Sequence, residues 1–380
     1  MGKTTSTDIL VIGGGIAGVS LAAELSRTHK VAVLERESQP GYHATGRSAA
    51  VFSESYGAPV IRALSRASRD FFTRPPEGFC AEPLLSPRGC LYIARHDQSD
   101  AFRQLLHRDD LAASARCISP EEALRHSPLL RPGYVAEALF DPGECDIDVH
   151  SLLQGYVRML RHNGSSLTPN QHVTRIEHVE SGWQVWTAEA GSWRAPVLIN
   201  AAGAWSDQIA HMANVAGIGL SPRRRSALLI DVPGHDTLGS WPLTIDIDEQ
   251  FYFKPDAGRL LLSPADETPS LPCDALPDDF DIALAVERFE TATTMEVRRI
   301  HSSWAGLRSF VADRIPVIGP SRDRPAFFWY AAQGGYGIQI SPALARVAAA
   351  MIRQESIPAD ILAAGVTSVD FLSRNDPEKI

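Results

Sequence analysis

The hydrophobic positions along the chain fall into stretches of different period. Asp8-Ile-Leu-Val-Ile12 is an unbroken aliphatic run that stops at three glycines. A strand covered on both faces shows no polar alternation, so this run predicts a buried parallel strand. Ile16, Val19, Ala22, Ala23 and Leu25 then recur at helical spacing. Val31-Ala-Val-Leu34 is a second buried strand, closing at Glu35. Strand, glycine turn, helix and strand together have the length of one βαβ unit.

Further along, helical spacing predicts helices over 58–72, near 120–123, from 148 or 150 to 162, over 204–213, 281–299 and 342–353. Apolar runs predict strands at 91–94, 197–203, 227–232, 250–254 and 260–263. The last three alternate as in a mixed or antiparallel sheet. Residues 269–279, rich in proline and aspartate, read as a loop. An amino-terminal βαβ unit followed by such a sheet predicts an α/β fold with a second, α+β lobe inserted into it.

Gly13-Gly14-Gly15-Ile16-Ala17-Gly18 satisfies G-x-G-x-x-G. In this context Gly13 permits the turn, Gly15 lets backbone N–H groups approach a pyrophosphate, and Gly18 lets helix pack on strand. The helix N-terminus, beginning at Ile16 and Ala17, adds partial positive charge toward the phosphates. Glu35, about twenty residues on, stands where an acid binds ribose hydroxyls, with Arg36 beside it. An acid there disfavours a 2′-phosphate and so NADP. The glycines alone leave FAD and NAD both open.

Composition narrows the class. A net charge of −9 over 380 residues argues against nucleic acid as the main partner. The five cysteines are scattered without CxxC spacing, so no zinc site or other metal site is expected. No run of 18 apolar residues is present, so no membrane span is expected. The expectation is a soluble cytoplasmic protein with reduced thiols.

The choice of cofactor comes from a resemblance. Gly41-Tyr-His-Ala-Thr-Gly-Arg-Ser-Ala-Ala50, following Glu35-Arg36, resembles the second flavin segment of the D-amino acid oxidase-like superfamily, and within it the D-arginine dehydrogenase subgroup. Further blocks are Pro83-Leu-Leu-Ser-Pro-Arg88, Asn200-Ala-Ala-Gly-Ala-Trp205, Lys254-Pro-Asp-Ala-Gly258, Trp304-Ala-Gly-Leu-Arg-Ser-Phe310 and Gln333-Gly-Gly-Tyr-Gly-Ile-Gln339. They span nearly the whole chain in order. The resemblance implies non-covalent FAD and hydride transfer from the substrate α-carbon to flavin N5.

It also implies roles for residues. Thr45, Arg47, Ser48, Ala49 and Ala50 would line the pyrophosphate and isoalloxazine. Val173 would meet the adenine side, and Gly203 would contact the cofactor. Gly334, Gly335, Tyr336, Gly337, Ile338 and Gln339 would cradle the pyrimidine end, with Gly335 and Gln339 also facing substrate. Arg308 matches the clamp for the substrate carboxylate, with Tyr252 as its partner. Arg225 matches a second pocket arginine and Tyr56 a lid or active-site tyrosine.

Departures from the arginine enzymes bear on the substrate. Gly89-Cys90 stands where those enzymes have Pro-Glu, and Val51 and Phe52 replace a histidine and a tyrosine. A thiol at Cys90 cannot compensate a buried guanidinium. The expected substrate is therefore a D-amino acid with a neutral side chain, although Glu54 could restore a negative charge. The products would be a 2-oxo acid and ammonia, with a quinone or oxygen as electron acceptor. Alternatives are an N-alkyl amino acid or 2-hydroxy acid as substrate, or a flavin-binding protein without turnover. The expected division is a discontinuous Rossmann-type FAD-binding domain at 1–80, 145–220 and 305–380, with the substrate domain at 81–144 and 221–304.

Overall fold

Ile9, Val11, Val31, Val33 and Ile199 bury their side chains in one core, and Leu10, Ile12, Ala32, Leu34 and Leu198 in another. Successive residues of a strand point to opposite faces, so a sheet buried on both sides needs apolar residues at every position. This explains why these runs lack alternation. The computed structural model describes residues 4–108, 111, 114–189, 191–232, 234, 238–367 and 369–372.

The central sheet has six strands in the order Ser166–Thr168, Val31–Leu34, Ile9–Ile12, Val197–Asn200, Phe327–Ala331 and Val317–Pro320. The first four pairings are parallel and the last antiparallel. Helices Ile16–Leu25, Pro59–Thr73, Val149–His162 and Gly337–Arg353 pack into the core on one face. The other face is covered by helix Ser206–Met212 and by a four-stranded sheet contributing Ile176, Trp183 and Val185. Fully buried aliphatic side chains of this kind each contribute roughly 1.5–3 kcal/mol relative to exposure.

A nine-stranded sheet forms the second body. Its strands include Cys90–Ala94, Glu137–Asp141, Ser221–Ile230, Leu243–Asp246, Tyr252–Asp256, Arg259–Ser263 and Ile300–Phe310. Strands Leu243–Asp246 and Cys90–Ala94 pair in parallel, and the other pairings are antiparallel. Here one-residue alternation separates two environments. Leu91, Leu228, Phe253, Leu260 and Leu262 face helix Asp279–Ala292, whereas Cys90, Ala227, Tyr252 and Leu261 face the opposite way. Ile300–Phe310 pairs with Ser221–Ile230 along its whole length, so the sheet continues through residue 305, where the sequence reading divides the chain.

Three elements differ from the sequence expectation. The helix expected to begin at Pro342 begins at Gly337 and carries the proline inside it. Proline lacks the N–H that would bond to the carbonyl of Ile338, and Ser341 Oγ donates to that oxygen instead, at 2.9 Å. The helix expected over 281–299 ends at Ala292, because Thr293 turns extended and Thr294 N–H bonds to Leu129 O. The strand expected from 227 starts at Ser221. Its polar beginning is held in the sheet by bonds from Arg223 to Glu267 O, Arg224 to Asp281 and Arg225 to Asp266 O.

Candidate active site

The parallel strands Ile9–Ile12, Val31–Leu34 and Val197–Asn200 end at one edge, and the residues following each line a cavity of about 510 Å³. Ligand sites in open α/β sheets lie outside the carboxyl ends of the strands. The cavity runs from this edge to the inner face of the nine-stranded sheet, where Arg225, Ala227, Tyr252 and Arg308 line it.

At the first end the backbone is packed as tightly as atoms permit. Gly13 has φ +112°, and a Cβ there would come within 2.3 Å of Ala201 O. A Cβ on Gly18 would lie 2.0 Å from Gly13 O. Gly13, Gly15, Ile16 and Ala17 line the cavity, while Gly18 supports the turn from behind. Thr45 Oγ1 accepts the Ile16 N–H at 3.0 Å, tying the second segment to the helix start. Glu35 is buried, and its two oxygens accept from Gly14 N at 2.7 Å and Glu37 N at 2.8 Å. Burial raises its pKa, and these two bonds oppose the rise. A carboxylate has lone pairs for further donors such as ribose hydroxyls. Val173 lines this end, beside Gln171 and His172.

Gly203, Arg36, Arg47, Ser48 and Ala49 line the middle. The two arginines are engaged within the protein. Arg36 lies 4.3 Å above the Trp205 ring and bonds to Glu37. Arg47 donates to Ala275 O and Ala305 O, each at 2.9 Å, and pairs with Asp274. Arg47 therefore staples the loop before helix Asp279–Ala292 to strand Ile300–Phe310 over the cavity. Ala50 lies outside the lining and packs against the core. His43 lines the cavity with Nε2 2.9 Å from Glu37 Oε1.

At the far end Gly334, Gly335, Gly337 and Ile338 line the wall, while Tyr336 and Gln339 stand behind it. Gly334 has φ +55° and donates its N–H to Ser309 O at 2.9 Å. A Cβ on Gly335 would meet Arg308 Nη1 at 2.9 Å. Arg308 projects into the cavity, half-buried, and among the described residues it has no carboxylate at ion-pair distance. Burial opposes its charge, but the adjacent Tyr56 and Tyr252 oxygens outweigh this and leave the guanidinium pKa raised. The Tyr56 phenol is pushed up to about 12 by burial, with Arg308 pulling the other way. It stays a neutral donor. Its ring packs on Tyr336 at 5.2 Å, and its hydroxyl lies 3.5 Å from Glu249.

Arg225 is placed differently from Arg308. It is buried and committed to Asp266 O at 2.8 Å, with Glu267 at 3.4 Å. Glu267 also takes both Arg314 amino groups, and despite burial its carboxyl is held low by Arg314, Arg225 and Arg308. Val51 and Cys90 pack with Leu243 and Leu261 in one apolar cluster behind Ala227 and Tyr252, which line the cavity. Glu54 is taken up by Arg69 at 2.5 Å, away from the role of a pocket charge.

Some residues of the site carry no sequence signal. Cys273 and Ala275, in the proline-rich loop, line the cavity because Arg47 holds that loop down. Glu144, in a short turn, is buried beside Cys90 and accepts from Ser53 Oγ at 2.7 Å and Tyr92 OH at 2.9 Å. Gln339 accepts from Ser53 N–H at 3.0 Å. No group of metal-ligating side chains and no helix long and apolar enough to cross a membrane occurs among the described residues.

The shape suits an extended dinucleotide. An acid and a glycine-walled helix start lie at one end, and glycine backbone faces a cation at the other. The donor set fits FAD, for which Glu35 would serve the ribose and Gly334–Gly335 the ring. Residues 8–351 match the profile of the family described as DAO, FAD dependent oxidoreductase. FAD-dependent oxidoreductase domain-containing protein 1 of Bos taurus is 26% identical, over 91% of this chain and 81% of its own. Glycine oxidase of Geobacillus kaustophilus is 23% identical, over 93% and 95%. Among solved structures, L-proline dehydrogenase from P. horikoshii superposes with a TM-score of 0.80 at 20% identity, covering 94% of this chain and 96% of that one.

Proposed function

Because this chain belongs to the FAD-dependent oxidoreductase family and takes FAD as its cofactor, we propose that it oxidises the Cα–N bond of a D-amino acid with a neutral side chain. The product would be an imino acid, which water hydrolyses to a 2-oxo acid and ammonia. One observation carries the reading: Arg308 enters the cavity with no carboxylate partner among the described residues, flanked by Tyr56 and Tyr252. A half-buried guanidinium with no carboxylate at ion-pair distance favours a ligand that brings one. Its planar fork suits a carboxylate held bidentately.

FAD supplies the acceptor for the hydride that leaves Cα. The protein's own part is orientation. Arg308 and the two phenols pin the carboxylate, so Cα is held at one distance and angle from the Gly334–Gly335 end of the cavity. Ala227 and Tyr252 line the cavity with Val51, Cys90 and Leu261 packed behind them, so the wall offered to the substrate side chain is apolar. This supports a neutral side chain over a cationic one. The D configuration is supported by the sequence's likeness to the D-arginine dehydrogenase blocks.

A second reading, oxidation of an N-alkyl amino acid, uses the same clamp. It draws support from the likeness to a dehydrogenase of proline, itself a cyclic secondary amine. Anaerobic bleaching of the FAD-loaded protein by a panel of D-, L- and N-methyl amino acids separates the readings. Bleaching by D-alanine or D-phenylalanine ahead of the others is expected. Bleaching by L- or N-methyl compounds alone overturns the first reading.

A further inference from the structure

Glu144 is 3% exposed, although neither the glycine segments nor the carboxylate clamp uses it. Its Oε1 accepts from the hydroxyls of Ser53 and Tyr92. Ser53 in turn is a junction. Its Oγ also accepts from Ser55 N–H at 3.2 Å, and its N–H donates to Gln339 Oε1 at 3.0 Å. Gln339 lies in the first turn of the helix that begins at Gly337, directly after the glycines of the cavity wall. Ser55 immediately precedes Tyr56, and Arg108 holds the Ser55 carbonyl at 2.6 Å. One carboxylate thus ties the turn before Cys145, the segment carrying Tyr56 and the start of helix Gly337–Arg353.

We propose that Glu144 is a positioning residue for the substrate site, acting through Ser53 to fix the segment that carries Tyr56. The proposal rests on the carboxylate-clamp reading given above.

The charge on Glu144 sets how strongly this tie holds. Burial raises its pKa to about 7, with Asp141 adding to the rise and the Ser53, Tyr92 and Cys90 bonds opposing it. Cys90 and Tyr92, on the strand packed against it, have their own pKa values raised by burial and remain neutral. When Glu144 is ionised, Ser53 must donate its proton to the carboxylate and present a lone pair to Ser55 N–H. Both bonds to Oε1 are then charge-assisted, roughly twice as strong as between neutral groups. When it is neutral, the tie slackens.

The test uses benzoate, a carboxylate with no transferable hydride, titrated into the FAD-loaded protein and read by the flavin absorbance. Benzoate, Arg308 and Tyr56 keep their charge states between about pH 6 and pH 8.5. Wild-type affinity should rise about five-fold across this range, with a midpoint near 7. Glu144→Gln, which keeps the acceptor oxygen but cannot ionise, should bind with no such step. Ser53→Ala should lose the step as well, since the charge then has no route to Tyr56. Retained FAD colour and melting temperature show that each variant folds. A step that survives in Glu144→Gln overturns the proposal, and so does one that survives in Ser53→Ala, which would mark a through-space field. Arg308→Ala with wild-type benzoate affinity would instead overturn the clamp reading itself.

Discussion

The guanidinium of Arg308 lies against the backbone of Gly335, so close that a methyl group at 335 would stand 2.9 Å from Nη1 and 3.0 Å from Cζ. The residue that receives the substrate carboxylate in our account is thereby held by the segment that walls the flavin end. Gly335→Ala should push the guanidinium out of line while leaving the fold intact, since the clashing atoms are the end of a flexible side chain. We expect KM to rise at least about tenfold, a loss of about 1.4 kcal/mol in binding. Steady-state kinetics beside FAD titration checks this, with FAD affinity changing much less than KM.

Gly18→Ala should behave differently. The added Cβ would lie 2.0 Å from Gly13 O, a backbone atom that cannot move without displacing the glycine turn. Overpacking of this kind costs about 1–3 kcal/mol. Chemical denaturation should show that loss, and FAD affinity should fall with it.

Glu144 makes a signed prediction for stability. Its folded-state pKa of about 7 lies above the ordinary 4.5, because burial disfavours the charge. A raised carboxyl pKa stabilises the fold fully below the unfolded value, and that contribution is lost as pH climbs through the folded value. The loss amounts to about 3 kcal/mol by about pH 8. Glu144→Gln mimics the neutral acid, so its stability relative to wild type should improve between pH 6 and pH 8 by about 1–2 kcal/mol. Urea unfolding of both proteins at the two pH values measures the difference. A difference that does not change with pH contradicts it.

Ser341→Ala tests the internal proline of the long carboxy-terminal helix. Without the hydroxyl, Ile338 O loses the donor that replaces the missing Pro342 N–H. A buried carbonyl left without a partner costs about 1–3 kcal/mol. Thermal unfolding should register that loss with no change in KM.

These residues also show what a sequence can disclose. Glu35 was legible because its place follows from a periodic unit: a run buried on both faces, a glycine turn and a helix leave the next strand's end at the cavity. Arg308 was legible through the surrounding Trp-Ala-Gly-Leu-Arg block, and it does face the cavity. Arg47, expected at the pyrophosphate, has its guanidinium on Ala275 O, Ala305 O and Asp274. Those partners lie more than two hundred residues away in the chain, so no local pattern announces them. Glu144 was hidden for a related reason. An acid in Gly-Glu-Cys-Asp reads as a solvated turn, and only the packing of Cys90, Tyr92 and Ser53 around it shows otherwise. Pro342 hid the helix start, because proline is favoured at a first turn and the compensating Ser341 bond appears only in three dimensions.

The most direct measurement is rapid-mixing reduction of the FAD-loaded enzyme by its best D-amino acid under anaerobic conditions, for wild type and Arg308→Ala. Removing a charged bidentate partner should weaken apparent substrate binding about a hundredfold, with FAD affinity unchanged. Equal substrate affinity in the two proteins would contradict the assignment of Arg308 as the carboxylate's anchor.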